Sequence, residues 1–250
     1  KVTKLKLKRS TLFYYGLTEI PINIALFPVL VFIPKFYTGE MGVSLILAAN
    51  IILAVRVFDL ITDPLFGYIN DRTNTKWGKR RPWIALATPL MMISIYMLFL
   101  PPEGAGASHL LLWMLSLSIA TTMIIIPYYA WGAELSSDYN ERSRITGWRS
   151  MMGVVGSLSA QLIPAMALLF FGFGGSANVL YLVGIFLVVL MPICVFFTVT
   201  KVSESKEHTK STISPIRGFK LMLDNAPFKR LILAFMVGGI ALSITTPLYL

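Results

Sequence analysis

Charge is scarce in this sequence of 250 residues: 14% of side chains are charged, against 56% hydrophobic, with a mean hydropathy of +0.71. A soluble domain carries about 25% charged residues, so one or two water-soluble domains of this length would lack polar surface. Cysteine is nearly absent. Cys194 stands alone, which excludes a disulfide framework and a thiolate metal cluster. His109 and His208 are the only histidines and lie far apart in the chain, which argues against a histidine metal site. Acidic residues are also few, 12 against 22 Lys and Arg, for a formal charge of +10 and a pI near 9.8. In a soluble chain such a balance would point to nucleic acid, so the placement of the basic residues decides its meaning.

The apolar residues gather in runs at 11–37, 45–69, 82–100, 109–133, 148–171 and 177–200, with a further run at 231–250 that reaches the last residue. Each is near or above the ~20 residues with which a helix crosses a ~30 Å hydrocarbon core. The first is too long for a cleaved signal peptide and has no small-residue cleavage site after it. Transmembrane strands need ~10-residue alternating segments, and these runs do not alternate. The expectation is an all-α, multi-pass membrane protein.

The basic residues then fall into place. Lys1, Lys4, Lys6, Lys8 and Arg9 precede the first run, and Arg72, Lys76, Lys79, Arg80 and Arg81 follow the second. Arg142 and Arg144 follow the fourth; Lys201, Lys206, Lys210, Arg217, Lys220, Lys229 and Arg230 follow the sixth. Thus 19 of 22 lie on alternate loops, while the intervening loops at 39–44, 101–108 and 172–176 hold no Lys or Arg. Positive residues mark the cytoplasmic face, so the amino terminus is expected in the cytoplasm of an inner or plasma membrane. Nucleic acid is not an expected partner; the lipid bilayer is. An intact seven-helix receptor would have its amino terminus outside, contrary to this pattern. The seventh run ends without a polar flank and residue 1 is Lys, so the chain is expected to be a fragment. Its parts would be a six-helix bundle over 1–200, a basic linker over 201–230 and the start of a further bundle over 231–250.

Polar residues inside the apolar runs are costly, at least ~2.5–3.5 kcal/mol for a charge at the bilayer centre, and are retained where something compensates. The second run holds Arg56, Asp59 and Asp63. The two aspartates are one helical turn apart and share a face. They cannot both stay ionised there without a counter-charge. A small cation held by carboxylate and hydroxyl oxygens or a shared proton would supply it, with Thr62 adjacent and Thr121 and Thr122 on the fourth run. The competing reading is structural: Arg56 pairs with Asp59, and Asp63 caps the helix end. In the first run Pro21, Pro28 and Pro34 each remove a helical hydrogen bond, and Glu19 and Asn23 lie one turn apart. Such broken helices line enclosed cavities in transporters; otherwise the helix is merely kinked, with Glu19 near the interface. Arg149 just inside the fifth run either meets a substrate or snorkels to the interface. Tyr128, Tyr129 and Trp131 either stack on a sugar face or anchor the helix at the interface.

The segment Arg56-Val-Phe-Asp59-Leu-Ile-Thr-Asp63-Pro64-Leu-Phe-Gly67-Tyr-Ile-Asn-Asp71-Arg72, continuing to Trp77-Gly78-Lys79-Arg80-Arg81-Pro82-Trp83, resembles the signature of glycoside–pentoside–hexuronide:cation symporters. These form the melibiose-permease branch of the major facilitator superfamily. Glu134-Leu135-Ser-Ser-Asp138-Tyr-Asn-Glu141-Arg142-Ser-Arg144, followed by Trp148-Arg149, is similar to the family's loop between helices four and five. The resemblance implies a major-facilitator six-helix N-terminal bundle plus most of helix seven, out of twelve. It places the coupling cation, sodium or a proton, on Asp59 and Asp63 (the metal ligands, if sodium), with Thr62 and Thr122 assisting. It implies substrate contacts at Arg149 and Tyr129, to which Glu19 and Asn23 are added as cavity residues. Asp71, Arg72, Gly78, Arg80 and Arg81 correspond to a cytoplasmic gate. Two acidic sugar ligands of melibiose permease fall instead on Asn23 and Ile125, and a lysine ligand on Ile22, which sets melibiose-like galactosides aside.

The function expected is cation-coupled symport of a sugar or glycoside-like small molecule by alternating access, in a monomer without a cofactor. A lysolipid or other non-sugar solute is the alternative, because related lysophospholipid symporters share the cation motif. A channel or an intramembrane enzyme is more distant, since no nucleophile–base pair or catalytic metal set lies in the apolar runs.

Overall fold

The computed structural model describes residues 6–172, 175–204 and 224–245. The described residues of unit one, which ends at Glu207, form seven helices: α1 (Arg9–Gly16), α2 (Glu19–Gly39), α3 (Leu45–Arg72), α4 (Arg81–Phe99), α5 (Ala107–Glu134), α6 (Tyr139–Phe171) and α7 (Ser176–Lys201). A second unit from His208 holds α8 (Ala226–Thr245). Among the described residues six spans are long and apolar enough to cross a membrane, α1 and α2 together forming the first. Of the linker expected at 201–230, residues 205–223 lie outside the described residues, as do Lys1, Lys4 and residues 246–250 of the last run.

Within the described residues each sequence run became a helix; α8 starts at Ala226, inside the stretch expected as a linker, and two other runs differ further from expectation. The first is divided at Leu17–Thr18. Pro21 has no N–H to offer the Leu17 carbonyl, and Ile20 N–H takes that carbonyl instead, at 3.2 Å. Pro28 and Pro34 lie farther on and remain inside α2. The break is tied to α7: the Thr18 hydroxyl donates to Thr198 Oγ1 at 2.8 Å, and Thr198 donates to the Tyr14 carbonyl at 2.6 Å. Just before it, Tyr15 and Tyr128 stack at 4.7 Å, and each hydroxyl donates to the other's backbone carbonyl, at 3.0 and 2.7 Å.

The second difference is α6, which starts at Tyr139 rather than at 148. The Asp138 carboxylate accepts from Asn140 N and Glu141 N at 2.9 and 3.1 Å, a side-chain cap that initiates a polar helical extension invisible to hydropathy. Arg149 is therefore not at the helix start. It sits about three turns inside α6.

Within unit one α4 packs on α5 and α7, α3 on α5, and α2 on α6 and α7. One continuous apolar core joins these helices. α3 and α6 are the least buried of the six spans. The α2–α6 contact is close because Gly156 has no side chain: a Cβ there would stand 2.5 Å from the Ile20 carbonyl oxygen. The alternate loops come together at two ends. At one, Leu7 N–H donates to Glu141 at 3.2 Å and Trp131 Nε1 donates to the Ser203 carbonyl at 3.4 Å. At the other, Glu40 and Met41 meet Leu100, Pro101 and Tyr181 around a shared cavity. All the described basic loop residues of unit one thus belong to the first end.

Candidate functional site

Three groups of polar side chains lie along the bundle. The first is on the α3–α5 interface. Asp59 accepts from the Ser118 hydroxyl, and Asp63 Oδ1 accepts from the Thr122 hydroxyl at 2.7 Å. The aspartates are four residues apart on α3, and so are Ser118 and Thr122 on α5, so one turn of each helix presents a matched carboxylate–hydroxyl pair. Asp59, Asp63, Ser118, Thr121 and Thr122 line a cavity of about 200 Å3 whose remaining wall is largely aliphatic. Arg56 lines it too, with Nη1 3.5 Å from Asp59 Oδ2.

Thr62 is not part of this group. Its hydroxyl donates to the Phe58 carbonyl of its own helix at 3.1 Å, and its side chain lies off the cavity. It follows Ile61, and one step around a helix turns it some 100° away from Asp63. Ser118 is the residue that sequence reasoning missed. Its signal was available: it precedes Thr122 by four positions, matching the aspartate spacing. Among the described residues no group of three or more His, Cys, Asp or Glu is placed to hold a metal ion; the oxygens facing the two carboxylates are hydroxyls.

The second group lies between α2, α5 and α6. Arg149 stacks on the Tyr129 ring at 3.9 Å, and the Tyr129 hydroxyl donates to Glu19 Oε1 at 3.2 Å. Asn23 Nδ2 donates to the Glu19 carbonyl at 2.9 Å, and its Oδ1 accepts from Ser157 at 3.4 Å. Glu19, Asn23, Tyr129 and Arg149 are thus brought together. The arrangement leaves the buried Glu19 Oε2 without a hydrogen-bond partner, and Tyr129 is 39% exposed. A cationic plane, an aromatic face and a spare carboxylate oxygen are what a polyhydroxyl solute binds through. The Arg149 guanidinium turns to the ring.

The third group is at the basic end. Arg80, 5% exposed, extends its fork to Asp71 at 2.8 Å and to Glu134 at 2.6 Å, and also donates to Asn70. The neighbouring Gly78 has φ +124°, a conformation open to glycine. A Cβ there would overlap the carboxylate of Glu204. Glu204 Oε1 accepts from Lys79 N and Arg80 N at 2.6 and 2.9 Å, so a residue beyond α7 caps the start of α4. Arg81 donates to the Val202 carbonyl at 2.5 Å, while Arg72 stacks on Tyr68 at 4.1 Å. Arg72 therefore stands apart from the Arg80 network. Glu204 was not singled out from sequence, because its partners are backbone amides 124 and 125 residues away. Glu204→Ala is expected to cost about 1–3 kcal/mol, the penalty of two unsatisfied amides, measured by thermal unfolding in detergent. Glu204→Gln, which keeps an acceptor oxygen, should lose less.

The family described as MFS/sugar transport protein matches residues 14–250. The chain is similar to the isoprimeverose transporter of Lactiplantibacillus pentosus, 25% identical, over 88% of this chain and 47% of that protein. It is similar to the putative glycoside/cation symporter YagG of Escherichia coli, 26% identical, over 86% of this chain and 48% of that protein. It also resembles the sodium-dependent lysophosphatidylcholine symporter 1 of Mus musculus, 35% identical, over 45% of this chain and 23% of that protein. The chain spans about half the length of the first two relatives. These relatives are carriers, not enzymes. With its six apolar spans and a family match over nearly its whole length, the chain belongs to the MFS/sugar transport protein family of multi-pass membrane proteins.

Proposed function

We propose that this chain forms the N-terminal part of a cation-coupled symporter that carries a sugar or glycoside-like solute by alternating access. The observation that carries the reading is the pairing of Asp59 and Asp63 with Ser118 and Thr122 around one cavity. Carboxylates and hydroxyls are the ligands hard cations prefer, and a proton can be shared there instead. Sodium or a proton is the coupling ion. Glu19, Asn23, Tyr129 and Arg149 hold the solute. Asp71, Arg80, Arg81 and Gly78, with Arg72 at the edge, form a gate whose contacts belong to one conformational state. The basic end faces the cytoplasm, the segment after α7 links the bundle to a second one that begins with α8, and the transporter works as a monomer. The names of the glycoside/cation relatives support the solute class.

A lysolipid solute is the second reading. The aliphatic wall beside the carboxylates, including Leu26, Val29, Ile52 and Ile125, and the lysophosphatidylcholine symporter among the relatives favour it. Both readings are tested by uptake into vesicles containing the full-length protein, with labelled glycosides and lysolipids, under sodium or proton gradients. Gradient-driven accumulation of a glycoside in wild type, lost in Asp59→Asn and in Asp63→Asn, is the expected result. Unchanged ion dependence in both variants overturns the cation assignment. Accumulation of lysolipids alone selects the second reading.

A further inference from the structure

The three charged groups lining the α3–α5 cavity are Arg56, Asp59 and Asp63, among the described residues. α5 faces them with the hydroxyls of Ser118, Thr121 and Thr122, and α2 with Leu26 and Val29. When all three are ionised the cavity carries one net negative charge. Asp59 divides its oxygens: one accepts from Ser118, and Oδ2 faces Arg56. The Arg56 contact is a single one at 3.5 Å, and its side chain is 62% exposed against 19% for Asp59. A single nitrogen at 3.5 Å is a long, loose contact for a charge-assisted pair, which normally closes to about 2.7–2.9 Å. Its geometry is far looser than the 2.6–2.8 Å fork that Arg80 makes at the basic end.

We infer that Arg56 is a displaceable counter-charge: it neutralises Asp59 while the cavity lacks its coupling ion and yields Oδ2 when the ion arrives. This rests on the cation-site reading above. A cation bridging the two aspartates must use Asp59 oxygens, and one of them faces a guanidinium. The guanidinium remains tethered in the same cavity after release. One monovalent ion then brings the cavity to neutrality, whereas a divalent ion leaves an excess positive charge in a low-dielectric wall, which is unfavourable. Arg56 therefore weakens cation binding and at the same time restricts the site to a monovalent ion. A purely structural helix pair would do neither.

The test is 22Na+ binding to the purified full-length protein, with Mg2+ as competitor, in wild type, Arg56→Gln, Arg56→Met, Arg56→Lys and Asp63→Asn. Removing a positive charge this near a carboxylate changes its affinity for a cation about tenfold or more. The expected result is a half-saturating Na+ concentration lowered by that factor in Arg56→Gln and Arg56→Met, with Mg2+ now displacing Na+. Arg56→Lys keeps the charge and should keep the wild-type preference for Na+ over Mg2+. Unchanged or weaker cation binding in the neutral variants, with wild type dependent on Asp63, overturns the role of Arg56 and leaves the cation site standing. Absence of Na+ binding in wild type overturns this inference, and gradient-driven uptake unchanged by Asp59→Asn and Asp63→Asn overturns the cation reading itself.

Discussion

Gly156→Ala is expected to destabilise the bundle by about 1–3 kcal/mol, and Gly156→Leu to prevent recovery of folded protein. A Cβ at this position meets the Ile20 carbonyl oxygen at 2.5 Å and the Ile20 Cα at 3.1 Å. These are backbone atoms, so no rotamer change can relieve the contact, and α2 and α6 must move apart. Overpacking a fitted interface costs about this much. In a bilayer, close backbone approach through small residues is a main source of helix association, so the lost contact has no hydrophobic substitute. Asn23 lies against the same segment, its Cβ 3.0 Å from the added atom, and the pairing of α2 with α6 positions Glu19 against Arg149 through Tyr129. The substitution should thus disturb the solute group along with stability. Gly147→Ala on the same helix is the control: no atom lies within 4 Å of its Cβ, and the gain in helix propensity should leave stability equal or higher by up to about 1 kcal/mol. Thermal unfolding of the two purified variants checks both signs.

Arg80→Gln should be the second large effect, and Arg80→Lys nearly as severe. Three groups depend on this one guanidinium: Asp71, Glu134 and Asn70. Breaking a buried pair costs about 3–5 kcal/mol when the partner is left stranded without water. Here the Asp71 and Glu134 side chains are partly exposed and can be rehydrated, so a loss nearer 2–3 kcal/mol is expected. Lysine offers one compact ammonium in place of a planar fork and cannot hold partners on both sides. A double-mutant cycle with Glu134→Gln reads the coupling directly: the effect of Arg80→Gln should shrink once Glu134 is neutral.

Both predictions concern features of different legibility. Asp59 and Asp63 were visible because charges inside an apolar run stand out against their composition, and the Arg80 cluster through its resemblance to the family's cytoplasmic motif. Glu204 and Ser118 were not. A serine in an apolar helix, or a glutamate after its end, has no compositional contrast, and its meaning depends on a partner helix distant in the chain. Arg149 was placed too near the helix start because hydropathy detects the hydrocarbon-spanning part of α6 and not the polar turns that the Asp138 cap adds. The three prolines of the first span left a break and a kink equally open, and the structure shows a break. Which proline breaks it depended on position: Pro21 falls in the first turn of α2, and the carbonyl it leaves free finds Ile20.

The scarcity of charge and its segregation onto alternate loops determined, from sequence alone, a helical multi-pass protein with its basic loops at one end. That follows because the cost of burying backbone and charge in hydrocarbon leaves few solutions. The tertiary structure alone decided which polar groups meet. It set Ser118 and Thr122 opposite the aspartates, turned Thr62 away, stacked Arg149 on Tyr129 and placed Glu204 under Gly78. Each of these depends on helix rotation and approach distance, which are fixed by packing between segments far apart in the chain, so no local pattern encodes them.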